Sequence, residues 1–277
     1  MTEESAARDW DDAFANLAHI PGGDLLPAKW ARDAALFRES KRESMRLSQP
    51  YGRAERATFD FFTPDMPAKG LFIFIHGGYW MQTSPADWSH LAKGALERGF
   101  ATALIGYPLA PDARVAEITR AVQAGIEAAG RQADGPIYLA GHSAGAHLAL
   151  RALEARASLS AATRARLKGV LGLGGVYDLR PLLATRLNET LRLTAAEASA
   201  ESPLLQPPQT EVDVLLWVGA NERPEFIRQS RAMADAWQTG GARLTLREEP
   251  GAHHFTTLEG LTFPTSPLLD AFLGHSS

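Results

Sequence analysis

Short apolar runs and longer amphipathic stretches take turns along this chain. The runs are rich in Ile, Leu, Val and Phe and fall at 71–75, 101–105, 136–140, 169–173 and 213–218, each bounded by Gly or Pro. Runs of this length and composition read as strands buried on both faces of a parallel sheet. Between them, 87–98, 113–132, 144–156 and 226–239 carry apolar residues at helical spacing; in the last, Phe226, Ile227, Met233 and Trp237 lie broadly on one face. "RATFDFFTP" (56–64) predicts an extra strand ahead of the parallel set, and "ARLTLREEP" (242–250) predicts the last one. Strand–helix alternation repeated this often predicts an α/β fold with a mostly parallel, doubly wound sheet and helices on both faces.

Two regions break the alternation. Residues 1–50 show helix-like segments and no strand, which predicts an arm packed on the body. Residues 179–210 are helical and then Pro-rich between two core strands, so they read either as a lid insertion or as a connecting helix pair. At 277 residues, with no internal repeat, the chain fits one large domain over 1–277.

Composition narrows the classes of partner. A net charge of −4 and the absence of a long basic run argue against nucleic acid or an anionic membrane. The longest apolar runs, "LFIFI" and "VLLWV", are too short to span a bilayer, and the acidic "MTEESAARDWDD" lacks the apolar segment of a secretory signal. The cytoplasm is therefore the expected location. With no cysteine, disulfides, thiolate metal sites and a cysteine nucleophile are excluded. The expected partner is a small-molecule substrate, with a homodimer as the expected assembly if the chain associates with itself.

Candidate chemistry starts at "GHSAGAH" (141–147), a G-x-S-x-G frame. Ser143 follows the run "PIYLAG" and precedes a helical stretch, the strand–turn–helix context in which such a serine is held clear of the sheet. Gly141 and Gly145 leave room for the tight turn. A second signal is "LFIFIHGGYW" (71–80), a buried strand running into His-Gly-Gly. Backbone N–H groups freed there suit an oxyanion hole, with Gly78 and Tyr79 as the loop donors and Ala144, just after the serine, as the other. His76 is expected to brace this loop. Tyr79 and Trp80 are the candidate substrate contacts, with burial the competing role for the Trp80 indole.

A serine nucleophile needs a base, and "EEPGAHHFTTLEGL" offers His253 and His254 just past the last strand. The acid that orients the base should follow the strand "VDVLLWVGA". That loop offers Glu222 and Glu225, while Asp178, one strand earlier, is a rival. His142 and His147 flank the serine and are read as scaffold. They lack carboxylate partners at metal spacing, so no metal site is expected.

With these segments together, the chain resembles the kynurenine formamidase (arylformamidase) branch of the α/β-hydrolases. "HGGYW", "GHSAGAHLAL", "GVYDLRPLL" and "ERPEFIRQS" carry the likeness, which spans about residues 50–262. More distantly the chain is similar to hormone-sensitive-lipase-like esterases, which usually have a third glycine where this chain has Tyr79. The resemblance implies an α/β-hydrolase fold and a Ser–acid–His hydrolase without cofactor, acting on N-formylkynurenine or a similar aryl formamide. It implies Ser143 as nucleophile, His254 before Phe255 as base, and Glu222 where the family generally has Asp. The alternatives are a short-acyl carboxylesterase and an inactive relative that binds a ligand in the same cleft.

Overall fold

The computed structural model describes residues 8–154, 157–206 and 212–274. Eight strands form one sheet: β1 (Met45–Pro50), β2 (Thr58–Phe62), β3 (Leu71–Ile75), β4 (Ala101–Ile105), β5 (Ile137–His142), β6 (Leu167–Leu173), β7 (Asp213–Gly219) and β8 (Leu244–Glu249). Their order is β1-β2-β4-β3-β5-β6-β7-β8. Pairing is antiparallel from β1 to β2 and from β2 to β4, and parallel across the rest. Each apolar run of the parallel set thus becomes a strand, as the α/β-hydrolase reading requires.

The run "LFIFI" shows why. All five residues of β3 are buried. Successive side chains of a strand point to opposite faces. Leu71, Ile73 and Ile75 therefore enter a core with Val122, Ile126 and Leu148, while Phe72 and Phe74 enter a second with Trp88, Phe100 and Leu171. Burying each such side chain contributes roughly 1.5–3 kcal/mol. The helix Val115–Gly130 buries Val115, Ile118, Val122 and Ile126, a three-and-four spacing that gives it one apolar face.

Register places the loops that matter. Ile75 pairs with Gly141, Gly141 with Gly172, and Gly219 with Glu249, so the carboxyl ends of β3, β5, β7 and β8 share one edge of the sheet. Between β3 and β5 the chain reverses the direction in which it adds strands. Loops diverge at such a switch point and leave a crevice, where open α/β sheets bind ligands.

Three expectations are corrected. Residues 1–50 do contain a strand: β1 lies at the sheet edge, mostly exposed, with its register interrupted between Arg46 and Gln49. A polar edge strand carries no apolar run to read. The expected helix 87–98 is broken into Pro85–Trp88, a tight 3-10 turn Ser89–Ala92, and Lys93–Glu97. There Arg38 takes the Ala86 carbonyl and the Ser89 hydroxyl, an arrangement that competes with regular helix bonding. The helix expected over 144–156 runs from Ala144 to Arg151, and positions 155–156 lie outside the described residues.

Candidate active site

Ser143 follows β5 and caps the helix Ala144–Arg151 with φ 55° and ψ −118°, a conformation L-residues avoid. Holding a non-glycine residue there costs of order 1–3 kcal/mol, tolerated where the surroundings impose it. The surroundings do. Its N–H donates to the Leu173 carbonyl at 2.8 Å. A Cβ on Gly141 would stand 2.1 Å from the Gly145 carbonyl oxygen, and one on Gly145 would stand 2.0 Å from that of Ile75. Both glycines are required for the turn to fit against β3.

The loop after β3 repeats the pattern. Gly78, Tyr79 and Trp80 all have positive φ, at 104°, 53° and 59°. A Cβ on Gly78 would meet the Gln82 carbonyl oxygen at 2.4 Å. Among the described residues, no internal backbone bond of the turns takes up the N–H of Gly78, Tyr79 or Ala144. His76 braces the loop: its Nδ1–H donates to the Gly77 carbonyl at 2.8 Å, and its ring stacks on Tyr107 at 4.2 Å. Burial pushes the His76 imidazole down to about 4, so it stays neutral.

His254 follows β8 and is 2% exposed. Its Nδ1–H donates to Glu222 Oε2 at 2.6 Å, which leaves the Nε2 lone pair free to take a proton. The longer Glu is accommodated by folding back on its own strand: Glu222 Oε1 accepts the Gly219 N–H at 2.9 Å. Gly174, after β6, makes the space, since a Cβ there would stand 2.8 Å from both Glu222 oxygens and 2.9 Å from His254 Nδ1. The rival carboxylates are engaged elsewhere. Asp178 is clamped by Arg180 at 2.8 Å, and Glu225 is fully buried against Arg8, Arg228 and Gln229. His253 caps a 3-10 turn, its Nδ1 accepting from the N–H groups of Phe255 and Thr256. That commits the one lone pair of the neutral ring and leaves Nε2 as an N–H, which cannot take a proton.

Ser143, His254, Gly78 and Tyr79 line one cavity of about 370 Å³. A larger open depression of about 1030 Å³, with Lys168, Asp213 and Leu244 on its rim, lies at the opposite, amino-terminal edge of the sheet and holds none of these groups. Trp80 is corrected: it is fully buried, lines no part of the cavity and donates from Nε1 to His147 Nδ1 at 3.2 Å. It anchors the strained loop and is not a substrate contact. His147 passes the restraint on through Nε2–H to the Glu201 carbonyl at 2.7 Å, its own imidazole held neutral by burial at about 3.

Several contributors were invisible in the sequence. Residues of the arm, among them Asn16, Leu17, Pro27 and Trp30, line the same cavity as Ser143, whereas no described residue of 179–206 reaches it. Positions 207–210 of the expected insertion lie outside the described residues. His142, read from the sequence as scaffold, also lines the cavity: its Nε2–H holds the His254 carbonyl at 2.8 Å, and burial keeps the ring neutral. The glycine pair in "LGLGGVYD" at a strand end was the available signal for Gly174. Among the described residues no group of three or more His, Asp or Glu side chains could hold a metal ion, and no helix is long and apolar enough to cross a membrane.

Fold and site define an α/β hydrolase, and a family model for the α/β-hydrolase fold matches residues 72–258. Kynurenine formamidase of Salmo salar is 34% identical over 248 residues, covering 83% of this chain and 82% of the relative. That of Danio rerio is 32% identical over 226 residues, 78% of this chain and 76% of the relative. The chain belongs to the kynurenine formamidase-like α/β hydrolases, a hydrolase of the amide and ester type. A Silicibacter sp. TM1040 crystal structure, provisionally described as a thioesterase, superposes with TM-score 0.91 at 41% identity over 96% of this chain and all of that one. Esterase B of Lactobacillus rhamnosis shares the fold, with TM-score 0.67 at 18% identity over 90% and 92% of the two chains.

Proposed function

We propose that this chain cleaves a small acyl group from an amine through a serine acyl-enzyme, with aryl formamides such as N-formylkynurenine as the leading substrates. One observation carries the reading. The Glu222–His254 pair at 2.6 Å and the strained Ser143 turn meet at one cavity, beside three backbone N–H groups unused by the fold.

In this reading Ser143 Oγ attacks the acyl carbon and its proton passes to His254 Nε2. The oxygen gains charge among the N–H groups of Ala144, Gly78 and Tyr79 at the head of a helix, where negative charge is favoured. His254 then gives the proton to the leaving nitrogen, so the amine departs neutral. Water, deprotonated by the same imidazole, releases the acid and restores the serine. Glu222 keeps Nδ1 protonated and offsets the imidazolium charge. Nothing in this sequence calls for a cofactor.

Tyr79 stands where the esterases usually have glycine, so the acyl side is read as tight. Discrimination by size of this kind is worth roughly 1–3 kcal/mol per methylene. Short acyl esters and thioesters form the alternative substrate class, favoured by the provisional description of the Silicibacter relative. Steady-state kinetics on N-formylkynurenine, 4-nitrophenyl acetate and 4-nitrophenyl butyrate separate the two. The proposal expects formamide turnover and acetate well ahead of butyrate. Butyrate ahead of acetate, with no formamide cleavage, discards the formamidase reading.

A further inference from the structure

Asn16 is a polar side chain sealed into the cavity wall. It is 4% exposed, its Nδ2 donates to the Tyr79 hydroxyl at 3.4 Å, and its Oδ1, itself buried, has no hydrogen-bond partner among the described residues. The orientation of the amide is fixed by its neighbour. The Tyr79 hydroxyl already gives its proton to the Phe14 carbonyl at 2.7 Å, so it can only accept from Asn16. The amide oxygen is therefore the atom left over. A buried acceptor without a partner costs about 1–3 kcal/mol, and folded proteins pair nearly all of them.

The rest of the wall is mixed: the Trp88 indole N–H, also without a partner among the described residues, suits a ligand acceptor, and Asn16 Oδ1 suits a ligand donor. Among the described residues no Lys or Arg side chain lines the cavity, and the acidic one that does is Asp87, on the helix Pro85–Trp88. The Thr83 hydroxyl is committed to the Gly77 carbonyl at 3.0 Å. Tyr79, which tethers Asn16, also belongs to the loop whose N–H groups would hold the scissile carbonyl. The amide is thus tethered to the loop that would hold that carbonyl, as positioning of a reacting bond requires.

We propose that Asn16 Oδ1, brought to the cavity surface by a small turn of its side chain as substrate enters, accepts a hydrogen bond from the N–H of the leaving amine, making Asn16 the residue that selects amides over esters. This rests on the amide-hydrolase reading above. The leaving atom of an ester or thioester carries no hydrogen and leaves Oδ1 unpaired, whereas an amide N–H fills it. Sites built around a buried polar partner reject the analogue that lacks it far more strongly than apolar pockets reject a missing methylene.

The test uses the full chain and a matched pair, 4-nitroacetanilide and 4-nitrophenyl acetate, which share acyl and aryl groups. Asn16→Leu should lower the anilide-to-ester ratio of kcat/KM at least tenfold. Tyr79→Phe, which cuts the tether but keeps the acceptor, should lower the ratio less, by about threefold, the scale of one lost neutral hydrogen bond. If Asn16→Leu folds poorly by thermal melting, Asn16→Ala replaces it with the same expectation. An unchanged ratio in the variant that folds, with both rates falling together, would reduce Asn16 to a strut and overturn the inference. Failure of the underlying reading shows elsewhere, as a wild-type enzyme that turns over the ester and neither the anilide nor N-formylkynurenine.

Discussion

Glu222 reaches two groups at once, the Gly219 N–H and the His254 ring, and both bonds depend on its length. A shorter Asp on the same backbone would have to give up one of them. Glu222→Gln should cut kcat about 10³- to 10⁴-fold, because the amide no longer fixes the imidazole tautomer. Asp178→Asn should cost less than tenfold in the same assay, since that carboxylate serves Arg180. Equal losses at the two positions would contradict the assignment. Gly174→Ala probes the same corner from behind: its φ of +48° and the closeness of Glu222 leave no room for a methyl group. It should lower stability by about 1–2 kcal/mol in urea unfolding and reduce kcat by more than that loss explains.

At the scale of elements, the strands were legible and the wall of the site was not. Strands buried on both faces must be short and apolar throughout, so β3, β4 and β7 announce themselves in the sequence. The turns around Ser143 and Gly78 were readable because only glycine fits the closest approaches. The arm was not, since its contacts are distant in sequence: Asp12 with Arg223, Asp11 with Arg186, and Phe14 edge-on to Phe226 at 5.9 Å. Phe226 in turn lies 4.6 Å from the His254 ring, so the arm packs indirectly on the proposed base. Phe14→Ala should cost about 3–5 kcal/mol of stability, read by denaturant unfolding, and should lower turnover in the molecules that remain folded. Full turnover at that stability loss would detach the arm from the site.

Across the whole molecule, buried histidines set a pH limit. Burial holds His76, His90 and His147 at about 4, about 4 and about 3, and it holds His142 well below 6.5. Above pH of about 6.5 the rings are neutral in both folded and unfolded chains and cost nothing. As the pH falls below that, the unfolded chain takes up protons that the fold refuses, so stability drops by up to about 1.4 kcal/mol per pH unit for each ring. The thermal midpoint should therefore decline from about pH 6.5 towards 4, and His147→Gln should flatten that slope. A midpoint constant over that range would mean that these rings are charged in the fold.

The central claim is that Ser143 is the nucleophile made reactive by His254. Mass spectrometry of the protein treated with an organophosphonate fluoride tests it most directly. The account predicts one adduct per chain, on the peptide containing Ser143, forming at least 10³-fold more slowly in His254→Ala. An adduct on another residue, or undiminished labelling of Ser143 without the imidazole, would contradict it.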